Sequence, residues 1–102
     1  MQDHEMTDIE IIQDREEKYG PPKECFETWA TICAALDKYA HESPWENKAH
    51  LHSLKMVALK MVRSVWNPYT DDNYVDGRNY LSIAQLCSRD AEAQPTKAGE
   101  DV

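Results

Sequence analysis

Residues 60–80 read KMVRSVWNPYTDDNYVDGRNY, and this stretch decides the fold. An apolar periodic segment runs into Asn67-Pro68-Tyr69, where proline removes a backbone donor and cannot continue the ladder of the preceding helix. Thr70 then supplies an N-cap, and Asp71 and Asp72 place carboxylates in a first turn where the helix dipole favours them. Two helices joined by a short turn follow from the pattern. Within the second helix Asp76 shares a face with Tyr80, Ile83, Ala84 and Cys87, at spacings of four, seven, eight and eleven residues. A carboxylate that continues an apolar stripe is half-buried by position and needs a partner, because an isolated buried charge is costly.

Working outward, the same signals divide the rest of the chain. Thr7 with Glu10 forms a capping-box pattern, and Ile9 and Ile12 recur at helical spacing to about Lys18. Tyr19-Gly20-Pro21-Pro22 ends that helix. A second helix from Pro22 to about His41 carries a broad stripe of Cys25, Phe26, Trp29, Ile32, Cys33, Leu36 and Tyr39 or Ala40. Ser43, Pro44 and Glu46 read as the start of a third helix, which runs to Trp66 with Leu51, Leu54, Ala58, Met61 and Val65 on one face. The fourth helix ends near Arg89. No strand pattern, internal repeat or glycine-rich phosphate loop occurs. The expectation is an all-α, four-helix, antiparallel bundle-like domain over residues 7–89, between a flexible N-terminus (1–6) and a disordered acidic tail (90–102). A core of about 80 residues is small, and three tryptophans exceed what it can comfortably cover, so a homodimer or higher homo-oligomer is expected.

Composition narrows the function classes. The chain has 102 residues and a formal net charge of −8. That acidity sits at the ends: residues 1–18 carry seven acids and two bases, residues 90–102 four and one, and residues 19–89 eight of each. Without a basic patch interleaved with aromatics, nucleic acid is not an expected partner. No apolar run approaches the ~20 residues of a membrane span, and no signal-peptide pattern opens the chain, so a cytoplasmic protein is expected. Three cysteines without a CxxC motif read as reduced core thiols.

The chemistry-bearing residues cluster around the opening stretch. Asp72 and Asp76, one helical turn apart with Asn73, form a platform for Mg²⁺, a cation that takes hard oxygen ligands. In the plainer alternative, Asp71 and Asp72 cap the helix and Asp76 pairs with Arg63. Lys60 and Arg63 point together toward the Asn-Pro turn, suited to a phosphate or carboxylate and also to salt bridges with Asp72 and Asp76. Glu24 and Glu27 open the second helix as an E-x-x-E pair, a second acidic platform or ordinary first-turn acids. Arg15 and Tyr19 share a face before the Gly-Pro-Pro turn and suit an anionic, base-bearing ligand or a structural junction. His50 and His52 diverge on one helix and read as surface residues.

The order Arg15-x-x-x-Tyr19-Gly20-x-Pro22, Phe26, Lys60-x-x-Arg63, Asn67-Pro68 and Asp72-Asn73-Tyr74-x-Asp76-x-x-x-Tyr80 resembles a family of small phage and prophage proteins. That family in turn resembles the MazG-like all-α nucleotide pyrophosphohydrolases. The resemblance implies Mg²⁺ held by Glu24 and Glu27 on one helix and by Asp76 on another, where Asn73 stands in place of the pair's first acid. It implies a nucleotide substrate contacted by Lys60, Arg63, Arg15, Tyr19, Asn73 and Tyr80, with Asp76 and Asp72 as catalytic residues. Three readings follow: a phage-encoded, MazG-like nucleotide-handling protein of the host cytoplasm, either a Mg²⁺-dependent (d)NTP pyrophosphohydrolase or descended from one; a non-catalytic binder that sequesters a host signalling nucleotide; and an interaction protein whose exposed Trp and Met contact a host factor.

Overall fold

The computed structural model describes residues 7–90, and the expectations for residues 1–6 and for the tail beyond Asp90 lie outside the described residues. Four helices make up the described chain: α1 (Asp8–Tyr19), α2 (Pro22–Glu42), α3 (Lys48–Trp66) and α4 (Asp71–Asp90). No strand occurs among the described residues. The capping box forms: the Thr7 side chain accepts from the Glu10 backbone N–H at 3.2 Å while Glu10 reaches back to the Thr7 N–H. Gly20 ends α1 with φ +89°, a conformation that L side chains rarely adopt, and its N–H returns to the Glu16 carbonyl at 2.9 Å.

One boundary differs from the sequence expectation. Ser43 does not start α3; it terminates α2, and its hydroxyl accepts from the Trp45 N–H at 3.1 Å in a local turn. The N-cap of α3 is Asn47, whose carbonyl oxygen accepts from the His50 N–H at 3.0 Å. Its amide also donates to the Cys87 carbonyl at 3.1 Å. Both residues are good caps in isolation, and the tertiary bond that only Asn47 makes favours the later start.

α3 is the organising helix, because it packs against each of the other three while α2 and α4 make no close backbone approach to one another. α4 returns antiparallel along α3, pinned at one end by the bond from Asn47 to Cys87. Further along, Gly77 lies against the Lys60 stem, so close that a Cβ there would sit 3.6 Å from the Lys60 Cβ. Small residues permit the approach: Ser53 and Ala84, brought level by that register, are 6% and 1% exposed. α2 is fixed to α3 by the Trp29 indole N–H, which donates to the Lys55 carbonyl at 2.6 Å, and by the Lys55 ammonium, 2.7 Å from Asp37. The three cysteines are free, with Cys25 buried beneath α2.

Among the described residues the buried apolar side chains are Cys25, Ala58, Leu59 and Ala84. The helices therefore do not close around a shared core. The apolar face expected for the third helix is covered only in part, with Met61 60% and Val65 86% exposed. Likewise Phe26 and Tyr39 of the α2 stripe lie open to solvent.

Gly20 and Gly77 make opposite predictions. A Cβ at Gly20 would stand 2.9 Å from the Trp66 ring in a left-handed backbone, so Gly20→Ala should cost about 1–3 kcal/mol. Gly77→Ala meets only ordinary contact and should gain about 0.5–1 kcal/mol from helix propensity. Urea denaturation of both variants is the check; equal stabilities would remove the role given to the Gly20 turn.

Candidate functional site

The site forms where the end of α1 meets the turn between α3 and α4. A helix leaves its last carbonyls without intrahelical partners, and here two of them are taken up by the turn. The Asn67 amide donates to the Glu17 carbonyl at 3.2 Å, and the Thr70 hydroxyl donates to the Lys18 carbonyl at 3.4 Å. Asn67 also accepts from the Tyr69 N–H at 3.0 Å, and the Tyr74 hydroxyl donates to the Pro68 carbonyl at 2.8 Å, so the turn is braced from within. Thr70 thus stands just before α4, as its position suggested, with its hydroxyl directed to α1.

That docking carries Tyr19 to Arg63. The guanidinium carbons of Arg15 and Arg63 each lie 4.8 Å from the Tyr19 ring centroid, so one aromatic ring orients two cations from different helices. One turn away on α3, the Lys60 ammonium is 3.3 Å from the Asp76 carboxylate. Lys60 is therefore the partner of Asp76, and Arg63 stacks on Tyr19 instead. The pair is asymmetric: the Lys60 side chain is 12% exposed and that of Asp76 is 45% exposed.

The buried stripe of α4 is rotated from the one the sequence suggested. Asn73 is 2% exposed and Ala84 1%, whereas Ile83 lies 43% exposed. Asp76 and the half-buried Tyr80 occupy its edge. The register that sets Gly77 against Lys60 brings Asn73, one turn earlier, level with Arg63. Two donors stay unsatisfied at this level, since the Asn73 amide nitrogen and the Arg63 Nε are buried without a hydrogen-bond partner among the described residues. A buried donor left unpaired typically costs 1–3 kcal/mol. Both groups can only give hydrogen bonds, so the group that would satisfy them is an acceptor. With Lys60 and Arg15 beside them, an anionic acceptor is favoured. No pattern of spacing reveals an orphaned donor; the extreme burial of Asn73 appears only in three dimensions.

The remaining sequence candidates are not drawn in. Asp72 is exposed on the first turn of α4. Glu24 and Glu27 are exposed on α2, and Glu27 lies 3.6 Å from Lys23. Among the described residues no three His, Cys, Asp or Glu side chains gather as metal ligands. His52 is exposed and His50 half-buried, and both line the cleft around Trp45.

Two clefts lie elsewhere, one of about 870 Å³ between the end of α2 and the start of α3 around Trp45, and one of about 590 Å³ between α3 and α4 beside Leu54 and Leu81. Neither contains the orphaned donors or the stacked arginines, so chemistry rather than volume singles out the cationic site.

Fold and site together define an all-α protein in which an open three-helix layer, with a fourth helix docked on its turn, carries a cationic, donor-rich centre. The chain belongs to the family described as a domain of unknown function, DUF6378, whose model matches residues 5–88. No curated protein and no solved structure matches it.

If the Asn73 amide is truly unsatisfied, removing it should not destabilise the protein. Asn73→Ala deletes the orphaned donor and raises helix propensity, and the expected outcome is a melting temperature equal to or above that of the wild type. A loss above about 2 kcal/mol would mean that the amide is already paired.

Proposed function

We propose that the protein is a nucleotide-handling protein that binds the phosphates of its ligand at Lys60, Arg63, Arg15 and Asn73, with Tyr19 and Tyr80 as the aromatic surfaces beside them. The observation that carries this reading is the pair of buried, partnerless donors on Arg63 and Asn73. Phosphate oxygens are the acceptors such a cluster lacks, and an arginine already oriented by a ring loses little freedom on binding them. The resemblance to phage-encoded, MazG-like proteins of the host cytoplasm supports a nucleotide as the bearer of those phosphates.

Binding without cleavage is the leading form of this reading. Mg²⁺-dependent pyrophosphohydrolysis would draw on Glu24, Glu27, Asp72 and Asp76, of which the two glutamates and Asp72 lie exposed on α2 and α4, and among the described residues no three such groups gather. Binding is tested by calorimetric titration with nucleoside triphosphates in EDTA. Micromolar affinity is expected, and Lys60→Gln or Arg63→Gln should each weaken it about tenfold or more, the worth of a charge-assisted hydrogen bond. Absence of binding to any of the common nucleotides would refute the proposal. Release of pyrophosphate on adding Mg²⁺ would restore the catalytic form.

The same protein is proposed to work as a homodimer or higher homo-oligomer, the second copy covering the open face of α3. Support comes from Met61 and Val65, which project from the helix that holds the fold together and yet stay exposed. A membrane is not needed to cover them, since no helix of the described residues is long and apolar enough to span one. Sedimentation should give at least a dimer at micromolar concentration, and Val65→Glu should shift it to monomer while the circular dichroism stays helical. A wild-type monomer would instead favour an external protein partner.

A further inference from the structure

Among the described residues Asp76 is the one acidic side chain ion-paired within the cationic site, and the pair is lopsided. Its carboxylate is 3.3 Å from the Lys60 ammonium and nearly half exposed, while Lys60 is largely enclosed. The Lys60 stem lies along α4 at Gly77, where a Cβ would stand in ordinary contact with it. Lys60 is thus held in place by packing whether or not Asp76 is engaged. Asp76 can turn to water with little loss, because a partly exposed ion pair is worth little. Meanwhile the Arg63 Nε and the Asn73 amide stay unsatisfied, so the carboxylate occupies only one of the available donors.

Resting on the phosphate-binding reading, we infer that Asp76 is an internal counter-ion that selects oligophosphates: it occupies Lys60 in the free protein, and a ligand enters by displacing it. A ligand that meets Lys60 alone gains nothing over the carboxylate already there. A di- or triphosphate presents further oxygens to Arg63, Asn73 and Arg15 and offsets the exchange. Asp76 therefore acts through Lys60 as a specificity-determining residue, and its effect on affinity is opposite to that of a metal-holding carboxylate.

The experiment is a set of titrations in EDTA with inorganic phosphate, pyrophosphate and triphosphate on wild type, Asp76→Asn, Lys60→Gln and the double variant. Wild type should bind triphosphate at least about tenfold more tightly than phosphate. Asp76→Asn should tighten triphosphate binding about three- to tenfold, and that gain should vanish in the Lys60→Gln background, which isolates the coupling between the two residues. Asp76→Ser carries the same comparison if the asparagine variant does not fold. Weaker or unchanged binding by the Asp76 variants, with Lys60→Gln still impaired, overturns the inference and leaves the phosphate-binding reading standing. A gain that persists without Lys60 also overturns it, because the effect is then general repulsion. Wild type that binds no oligophosphate while Asp76→Asn binds overturns the inference, because the exchange is then not offset, and failure of every form to bind any probe overturns both readings.

Discussion

The fold depends on what happens to the last carbonyls of α1. A helix that ends against other structure must find donors for them, and here Asn67 and Thr70 supply those donors from the α3–α4 turn. The arrangement requires a sharp exit from α1, which Gly20 provides with φ +89°, and a close approach to Trp66, which only a residue without a side chain permits. With α1 docked, Tyr19 lies against Arg63, and Arg15 one turn earlier joins it. A local need to satisfy backbone carbonyls therefore assembles cations from two helices at one place. The proline and glycine that punctuate the sequence build the site as well as the turns.

The punctuation was the legible part. Gly20-Pro21-Pro22 and Asn67-Pro68 act through backbone chemistry that tertiary context does not override, and α1 and α3 end, and α2 and α4 begin, where those signals place them. The start of α3 was less legible because Ser43 and Asn47 offer similar local caps, and the choice is made by a bond to Cys87, forty residues away. Periodicity marked the faces of α3 and α4 but not their depth. Asp76 and Ile83 share a helical face with Ala84, yet Ala84 is buried and Ile83 is not, since a stripe read from spacing is wider than the strip that one neighbouring helix covers. Lys60, Arg63, Arg15 and Tyr19 are brought to one end of the fold, while Glu24 and Glu27 stay on the surface of α2. First-turn acids serve the helix dipole wherever the helix begins, so their spacing carried little information about a site.

An open layer organised on α3 leaves the molecule with an unusual division of surface. The end of α3 nearest the turn is polar and crowded with cations, whereas its face between α2 and α4 shows Met61 and Val65 to solvent. The two regions lie on different sides of the helix, so covering the apolar face with a second copy need not obstruct the cationic one. Small domains often meet their shortage of core in this way. Here the shortage has a structural cause: α4 is held against α3 through Ser53, Ala84 and Gly77, residues too small to bury much apolar area however closely they pack.

Close packing through small residues also explains how a polar site survives beside so thin a core. The Lys60 stem lies against α4 at Gly77, within contact distance of where a Cβ would stand. The apolar part of a charged residue thus serves as packing, with its ammonium delivered to the site edge. Asn73 meets the opposite condition, a polar side chain sealed at 2% exposure with one donor unanswered. Substitution by an apolar residue would relieve that cost, so stability alone does not account for an amide there. In the phosphate-binding reading proposed above an acceptor on the ligand does, and it also meets the Arg63 Nε, which is buried without a partner among the described residues. The phosphate-binding reading rests on this shared deficit more than on the number of positive charges, because surface cations are common and buried donors without acceptors are rare.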